Sequence, residues 1–261
     1  MHSGASVQVF QSVASVYDLL YADKDYKAEC DMLEQVFSQF SPRPVRRILD
    51  LGCGTASHAI QLAKCGFGLV CVDQSEAMLR VARQKARSED LTRQIQFKQS
   101  PIQRLSLRAR FDAVISMFAV LSYQCSNNEV ADTLRRARKN LRRGGLLVCD
   151  FWYGPAVLAQ HPTERLKRVR NGATIVIRLA HPELNTLGNC VDVNYSFMIL
   201  RGRRILVEMQ ETHRMRYFFK PEIELFLETA GFRLETFSST DDWRHPPDER
   251  TWNAMLVARA I

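Results

Sequence analysis

Short apolar segments alternate with helical segments through the first 150 residues of the chain. The apolar segments comprise residues 45–51, 68–73, 95–98, 111–117 and 146–150. Between them, residues 57–64, 76–86 and 130–141 carry apolar side chains at helical spacing. Strands that are apolar along their whole length are buried on both faces, as in a parallel sheet covered by helices on each side. The pattern therefore predicts an α/β fold with a doubly wound, mostly parallel sheet.

Other patterns flank this alternation. A helical apolar face before Pro42 and Pro44 predicts a helix packed ahead of the first strand. After residue 150, four strand-like segments follow one another without a helix, which predicts an antiparallel sheet. A last helix and two strands return to the first sheet and bring it to seven strands. The predicted division is an N-terminal helical cap, a core, an inserted antiparallel sheet and a C-terminal part of the core, over residues 1–45, 46–150, 151–220 and 221–261.

Composition narrows the classes of protein. No apolar run approaches the roughly 20 residues that span a bilayer, and the N-terminus lacks the layout of a signal peptide. We therefore expect a cytoplasmic protein with no membrane partner. The seven cysteines form no CxxC pair, so neither a disulfide framework nor a metal site is expected. The net charge of +8 is compatible with an anionic partner, but much of it lies on helix-like segments, where a solvated face is the simpler explanation.

The turn in the stretch ILDLGCGTA, residues 48–56, is the first candidate site. Gly52 and Gly54 lie between a predicted strand and a predicted helix, where the absence of Cβ atoms lets a ligand approach the backbone. Asp73 ends the next strand, where a carboxylate can accept hydrogen bonds from both ribose hydroxyls. Ser57 stands where a dinucleotide fingerprint has its third glycine. The turn and the acid together predict a nucleoside site.

Four stretches, in order, resemble the motifs of class I S-adenosylmethionine-dependent methyltransferases: ILDLGCGTA, LVCVDQSEAML, FDAVISMFAV and LRRARKNLRRGGLLVCDF. The resemblance implies a Rossmann-like fold, S-adenosyl-L-methionine as cofactor and S-adenosyl-L-homocysteine as product. It implies cofactor contacts from Tyr21, Asp50, Gly52, Cys53, Gly54, Asp73, Gln74, Met78, Ser100, Ile102, Ser116 and Met117. Two positions depart from the pattern: Ala56 replaces a glycine, and Pro101 replaces an aspartate that contacts adenine in many members.

A narrower resemblance lies in YDLLYADKDYKAE, residues 17–29, and in MFAVLSYQ, residues 117–124. Both are similar to segments of the sugar N-methyltransferases that act on nucleotide-linked amino sugars. That group also carries an antiparallel sheet after the fifth strand and uses it for dimerisation. The resemblance implies a small-molecule acceptor, with the amine of a nucleotide-linked amino sugar as the sharpest expectation, and a homodimer formed through the inserted sheet.

Three side chains, those of Tyr17, Tyr123 and His213, are candidate catalytic groups. Tyr17 and Tyr21 are spaced i, i+4 on a predicted helix, so both can face one cleft; ordinary aromatic packing is the alternative. Tyr123 follows the fourth strand at the carboxyl edge of the sheet, where open α/β folds bind ligands. His213 lies in a predicted inserted strand and is a candidate base, with strand packing as the alternative.

Other functions remain open at this stage. An O-methyltransferase of a sugar or another small metabolite fits the same motifs. An RNA methyltransferase fits the positive charge, but the sequence shows no RNA-binding module and no basic stretch rich in aromatic residues; no DNA partner is expected. A non-catalytic scaffold fits Pro101 but not the intact glycine turn with Asp73.

Overall fold

The computed structural model describes residues 14–261. Its helices are α1 Ala14–Leu20, α2 Tyr26–Phe40, α3 Ser57–Lys64, α4 Glu76–Ser88, α5 Asn127–Asn140, α6 Gly154–Gln160 and α7 Lys220–Thr229. Its strands are β1 Arg47–Leu51, β2 Gly68–Asp73, β3 Ile95–Gln99, β4 Phe111–Ser116, β5 Leu141–Tyr153, β6 Arg165–Asn171, β7 Thr174–Asn185, β8 Cys190–Arg201, β9 Arg204–Phe218, β10 Phe232–Ser239 and β11 Asn253–Ala260. Short 3-10 turns span Ile102–Arg104 and Val120–Tyr123.

Seven strands form the core sheet in the order β3-β2-β1-β4-β5-β11-β10. The first five are parallel, and β11 runs antiparallel to both of its neighbours. Helices α5 and α7 bury their apolar faces on one side of this sheet, and α2, α3 and α4 on the other. The doubly wound, mostly parallel seven-stranded sheet expected from the sequence is thereby confirmed. The chain changes direction across the sheet between β1 and β4, where folds of this type bind ligands.

Local capping fixes where the helices around this point begin. Ser75 accepts a hydrogen bond from the Met78 amide, 3.3 Å away, and starts α4 directly after β2. Ser126 and Glu129 form a reciprocal capping box that starts α5. These caps place both helix starts at the carboxyl edge of the sheet.

The inserted sheet is antiparallel in the order β6-β7-β8-β9. Strand β9 continues past this sheet and pairs with the end of β5 at Tyr217 and Phe218. Along β9, Glu211, His213 and Met215 are buried at alternate positions. The strand therefore presents one row of side chains toward the carboxyl edge of the core sheet.

Three elements differ from the sequence-based prediction. Strand β5 spans Leu141–Tyr153, whereas the predicted strand covered only residues 146–150 and the predicted helix before it reached residue 141. Helix α6 was not predicted, because its Gly154-Pro155 start is also typical of a turn, although Pro is favourable in the first turn of a helix. Strand β7 continues through Pro182, whereas the predicted strand ended at Ala180. The strand tolerates this proline because its pairing with β6 ends at Ala180, so no partner on that side needs the missing N–H. No helix within residues 14–261 is long and apolar enough to cross a bilayer.

Candidate functional site

The carboxyl ends of the core strands open into one cavity of about 550 Å³, with walls from α1 and β9. Every site residue named from the sequence lines this cavity except Ser116. The Ser116 hydroxyl is buried and donates a hydrogen bond to the Leu51 carbonyl, 3.0 Å away. Ser116 therefore ties β4 to β1 beneath the glycine turn and lies behind the cavity wall.

The glycine turn forms one end of the cavity. Gly52 and Gly54 have φ angles of 79° and 54°, which side chains rarely adopt. The amides of Gly52 and Cys53 both donate to the Val72 carbonyl, at 2.8 and 3.0 Å, and fasten the turn to β2. A Cβ atom on Gly52 would lie 2.5 Å from Val120 Cγ1, whereas one on Gly54 would meet nothing within 4 Å. The turn thus packs closely on one side and leaves its backbone open on the other.

The Asp73 carboxylate is fixed by two backbone amides beside this turn. Gly54 donates to Oδ2 and Ser75 donates to Oδ1, each over 2.8 Å. Burial raises the pKa of Asp73 above its ordinary value, although these two amides oppose that effect. Each carboxylate oxygen accepts more than one hydrogen bond. Asp73 therefore retains acceptor capacity for two vicinal hydroxyls while its orientation is held.

A second buried acid lies below the turn. Asp50 is 3% exposed and lines the cavity. Burial, with a smaller contribution from the Asp73 charge, raises the pKa of Asp50 to about 7. A cationic ligand group near this carboxyl would favour its ionised form. This end of the cavity is therefore suited to a ligand that carries hydroxyls and a positive charge.

The adjoining wall combines apolar and polar groups. Met78 and Ile102 are buried and supply the apolar surface. The Gln74 backbone carbonyl accepts a hydrogen bond from the side-chain Nε2 of Gln99, 3.2 Å away. The Ser100 hydroxyl donates to the Pro101 carbonyl over 2.9 Å, so only its oxygen lone pairs remain for a ligand. This wall suits a flat heterocycle that needs few directional contacts.

A chain of polar side chains forms the opposite end. The Tyr123 hydroxyl lies 2.9 Å from His213 Nδ1, and His213 Nε2 lies 3.1 Å from Glu211 Oε2. Glu211 and His213 are 7% and 4% exposed. The Tyr195 ring packs edge-on against the imidazole with centroids 4.8 Å apart. Burial raises the pKa of Tyr123 well above its ordinary value, so its hydroxyl keeps its proton at neutral pH.

The sequence analysis did not single out Glu211. The signal was present, because Glu211 and His213 are two residues apart on a strand and so share one face. Tyr195, the register partner of Glu211 on β8, and Trp152, at the end of β5, also line the cavity and were not predicted. Whether Tyr195 and Trp152 reach the cavity depends on how the inserted sheet folds back over the core.

Helix α1 covers the cavity between these two ends. The rings of Tyr17 and Tyr21 are 4.8 Å apart, and both line the cavity. Asp18 forms an ion pair with Lys85 of α4 over 2.9 Å. On the other side, Arg178 of β7 donates to the Tyr21 hydroxyl, 2.9 Å away. The cover is thus attached to the core and to the inserted sheet.

Comparisons with known proteins show which proteins this chain resembles. The family described as "Methyltransferase domain" matches residues 48–145. A Geobacillus sp. (strain WCH70) protein named as a methyltransferase is 36% identical over 96% of this chain and 99% of its own length. The dTDP-3-amino-3,4,6-trideoxy-alpha-D-glucopyranose N,N-dimethyltransferase of Streptomyces venezuelae is 26% identical over 85% of this chain and 90% of its own. An S-adenosylmethionine-dependent methyltransferase structure from Clostridium acetobutylicum superposes with a TM-score of 0.82 at 20% identity, covering 96% of this chain and 98% of that one.

The chain belongs to the S-adenosylmethionine-dependent methyltransferases of class I. It is a methyltransferase, and its cofactor is S-adenosyl-L-methionine, which leaves as S-adenosyl-L-homocysteine. Three features of the cavity fit this cofactor. The open backbone at Gly54 lets a ligand approach the main chain closely, and the fixed carboxylate of Asp73 can accept hydrogen bonds from the ribose hydroxyls. The buried acid Asp50 suits a ligand with a positive charge.

Proposed function

We propose that this enzyme methylates the amine of a nucleotide-linked amino sugar. The observation that carries the proposal is the buried Tyr123–His213–Glu211 chain at the end of the cavity opposite Asp73. An amine acceptor reaches the enzyme largely as an ammonium ion and must lose a proton before its lone pair can attack a methyl group. A hydroxyl and an imidazole backed by a carboxylate are suited to take that proton.

The relative from Streptomyces venezuelae supports the substrate class. Its name gives a dTDP-linked amino sugar as its substrate. It matches this chain over 224 residues, which is more than the predicted cap (1–45) and the two parts of the predicted core (46–150 and 221–261) contain together. The match therefore extends into the inserted sheet, which supplies Glu211 and His213. At 26% identity this similarity supports the proposal without fixing the sugar.

Roles follow for the groups at the cofactor end. S-adenosyl-L-methionine, when bound, supplies a methyl group on a sulfonium that carries its own leaving group. Gly52, Cys53 and Gly54 would hold its methionine part, and Asp73 would hold the ribose. Gln74, Met78, Ser100 and Ile102 would border the adenine, and Met117 would lie near the sulfur.

Tyr17 and Tyr21 would exclude water from the reaction. Burial raises the pKa of Tyr17 well above its ordinary value, so its hydroxyl keeps its proton at neutral pH. The Tyr21 ring also packs edge-on against the Phe118 ring, with centroids 5.0 Å apart. Since the sulfonium is already activated, alignment of the acceptor and exclusion of water are the main tasks left to the protein.

The Glu211–His213 pair also favours a second candidate, O-methylation of a sugar or another small metabolite. A hydroxyl needs a general base more than an amine does, and an imidazole held by a carboxylate is a suitable base. The two candidates differ in the acceptor atom and are separated by one assay.

The test is transfer of labelled methyl from S-adenosyl-L-methionine to a panel of matched compounds. The panel contains nucleotide-linked amino sugars, the same sugars with hydroxyl in place of the amine, small free amines and total RNA. We expect transfer to an amino sugar nucleotide and none to its hydroxyl counterpart. Transfer to the hydroxyl sugar alone establishes the second candidate, and transfer to RNA, or to nothing while the cofactor still binds, overturns the proposal.

We also infer that two copies of the chain pair through the inserted sheet. Ile205, Leu206 and Val207 at the start of β9, an edge strand of that sheet, are 57%, 56% and 40% exposed. Apolar side chains in such a group are typical of an interaction surface. Light scattering should give twice the chain mass for the native protein and the chain mass for Leu206→Glu; a monomer in both cases would contradict the inference.

A further inference from the structure

We propose that Arg178, with Lys167 beside it, binds the diphosphate of a nucleoside diphosphate next to the acceptor end of the cavity. This inference deepens the proposed function, because it rests on an acceptor that carries a nucleotide. Binding of the diphosphate can nevertheless be measured without any methyl transfer.

Arg178 is a partly buried cation on the face of β7 that packs against α1. Within residues 14–261, its one hydrogen-bond acceptor is the Tyr21 hydroxyl, 2.9 Å from Nη1, and its buried Nε has no acceptor. An arginine has five N–H donors and keeps its charge in proteins. Buried donors and a charge without an acid cost free energy. Arg178 is therefore suited to an anion that supplies the missing acceptors.

Two aromatic rings connect Arg178 to the cavity. The centroids of Tyr21 and Tyr195 lie 5.6 and 5.3 Å from its guanidinium carbon, so the rings stabilise the charge but supply no anionic acceptor. Both tyrosines line the cavity, and Tyr195 packs against His213 at the acceptor end. A ligand that extends from the acceptor end past these rings would meet the guanidinium of Arg178.

Lys167 provides a second cation on the same face. It lies directly opposite Arg178 on β6, and its Nζ is 5.8 Å from the centroid of the Tyr21 ring. Arg165, two residues earlier, shares this face of the strand. In the described part of the chain, the carboxylate paired with these three cations is that of Asp23, 2.8 Å from Lys167 and 72% exposed. The group therefore has an excess of positive charge.

Other basic side chains of the inserted sheet lack this combination. Arg214 lines the cavity, but Asp192 holds its guanidinium through two hydrogen bonds of 2.6 Å. Arg216 is buried and paired with Glu222. Arg168 alternates with Lys167 along β6 and so lies on the opposite face of the strand. Arg178 and Lys167 are thus the cations that remain for a ligand beside the cavity.

The two cations match the chemistry of a diphosphate. A guanidinium binds two phosphate oxygens at once in a fixed fork, and an ammonium binds as a compact charge. Two adjacent cations on neighbouring strands can each take one of two linked phosphoryl groups. In a nucleotide-linked sugar, the diphosphate joins the sugar to the nucleoside. Its binding at Arg178 would leave the sugar on the side of the cavity.

The test without an acceptor is titration calorimetry on enzyme saturated with S-adenosyl-L-homocysteine. The probes are thymidine diphosphate, uridine diphosphate and inorganic pyrophosphate. We expect a nucleoside diphosphate to bind, and Arg178→Gln to weaken that binding about tenfold or more. Arg168→Gln removes the same charge from the opposite face and should stay within about twofold of native.

Three results of this titration would overturn the proposal. The native enzyme could bind neither nucleoside diphosphate, or Arg178→Gln could bind it as well as native does. Equal affinity for inorganic pyrophosphate would assign the cations to phosphate ions in general and not to a nucleotide.

A second pair of measurements separates binding from support of α1. Arg178 also holds Tyr21, so thermal melting and the affinity for S-adenosyl-L-homocysteine are measured for Arg178→Gln. The cofactor product should bind within about twofold of native, and equal losses for both ligands would indicate a structural role only. Asp23→Asn leaves Lys167 unpaired and should tighten nucleoside diphosphate binding by about two- to fivefold. A weakening would contradict the anion site.

Kinetics distinguish a failure of this inference from a failure of the proposed function. If the panel yields a methylated amino sugar nucleotide, Arg178→Gln should raise its KM about fivefold or more. Methylation with an unchanged KM would overturn the role of Arg178 and leave the proposed function standing. If no compound in the panel is methylated, the proposed function fails, and the titration still decides whether Arg178 binds a nucleoside diphosphate.

Discussion

The two ends of the cavity are built from different parts of the chain. The cofactor end uses backbone groups of one turn and a carboxylate 19 residues later, which two backbone amides hold in place. The acceptor end uses the side chains of Tyr123, His213 and Glu211, which come from a turn and a strand far apart in the sequence. Changes at the first end should therefore alter cofactor affinity, and changes at the second should alter turnover.

The largest effect is expected from Asp73→Ala at the cofactor end. Loss of charge-assisted hydrogen bonds worth roughly 1.5 to 3 kcal/mol should weaken S-adenosyl-L-methionine binding about 10- to 150-fold. Titration calorimetry measures the affinity, and Asp132→Ala on the surface of α5 is the control. Because Asp73 also holds the Gly54 amide, thermal melting must accompany the titration. Affinity within about twofold of native would remove Asp73 from the ribose site.

Tyr123→Phe tests the acceptor end. Removal of the hydroxyl leaves the ring in place but interrupts the path to His213, so kcat should fall about 10- to 100-fold. Cofactor affinity should stay within about twofold, since the cofactor end is intact. Steady-state rates and calorimetry give the two quantities, with Tyr153→Phe, outside the cavity, as control. A parallel loss of cofactor affinity would mean that the two ends are not separate.

Each end also contains a buried acid, and both should affect stability in the same direction. Burial raises the pKa of Asp50, and of Asp150 beneath the turn that carries Tyr123, from 3.8 to about 7. A raised pKa means that the folded state holds protons that the unfolded state releases. This contribution to stability is complete below about pH 4 and is lost as pH rises through about 7.

The free energy of unfolding should therefore fall between pH 5 and pH 8, by an amount on the order of 5 kcal/mol for the two acids together. Acids with lowered pKa values, such as Glu29 and Glu235, titrate below this range and do not reverse the trend. Urea unfolding at several pH values measures the effect, and Asp50→Asn or Asp150→Asn should flatten it. A free energy of unfolding that rises with pH across this range would show that neither acid is protonated in the folded protein.

The smallest effect is expected where α1 joins the two ends. The Asp18–Lys85 pair is partly exposed, with side chains 39% and 29% accessible, and such pairs contribute at most about 1 kcal/mol. Lys85→Ala should thus speed cofactor release by no more than about fivefold, compared with Lys27→Ala on the exposed face of α2. Stopped-flow release experiments can decide this. A larger acceleration would mean that the contacts of Lys85 with Asp18 and Ser57 hold the cover closed.

The difference between the two ends also explains which site residues the sequence predicts. The sequence predicts the roles of Gly52, Gly54 and Asp73 because a tight turn and a strand end are local features. The strands around them are also apolar along their length. Glu211 was missed because its partner, His213, is paired in turn with Tyr123, 90 residues away along the chain. Pro182 was missed as a strand residue because its tolerance depends on where β6 ends, which only the tertiary pairing shows.

The most direct test of this account is a crystal structure of the enzyme with S-adenosyl-L-homocysteine and a nucleotide-linked amino sugar. We expect the ribose hydroxyls to bind the Asp73 carboxylate and the amine nitrogen to lie within hydrogen-bond distance of the Tyr123 oxygen, with the sulfur between these two ends. An amine placed away from Tyr123, with the sugar bound by other residues, would contradict the division of the cavity into a cofactor end and an acceptor end.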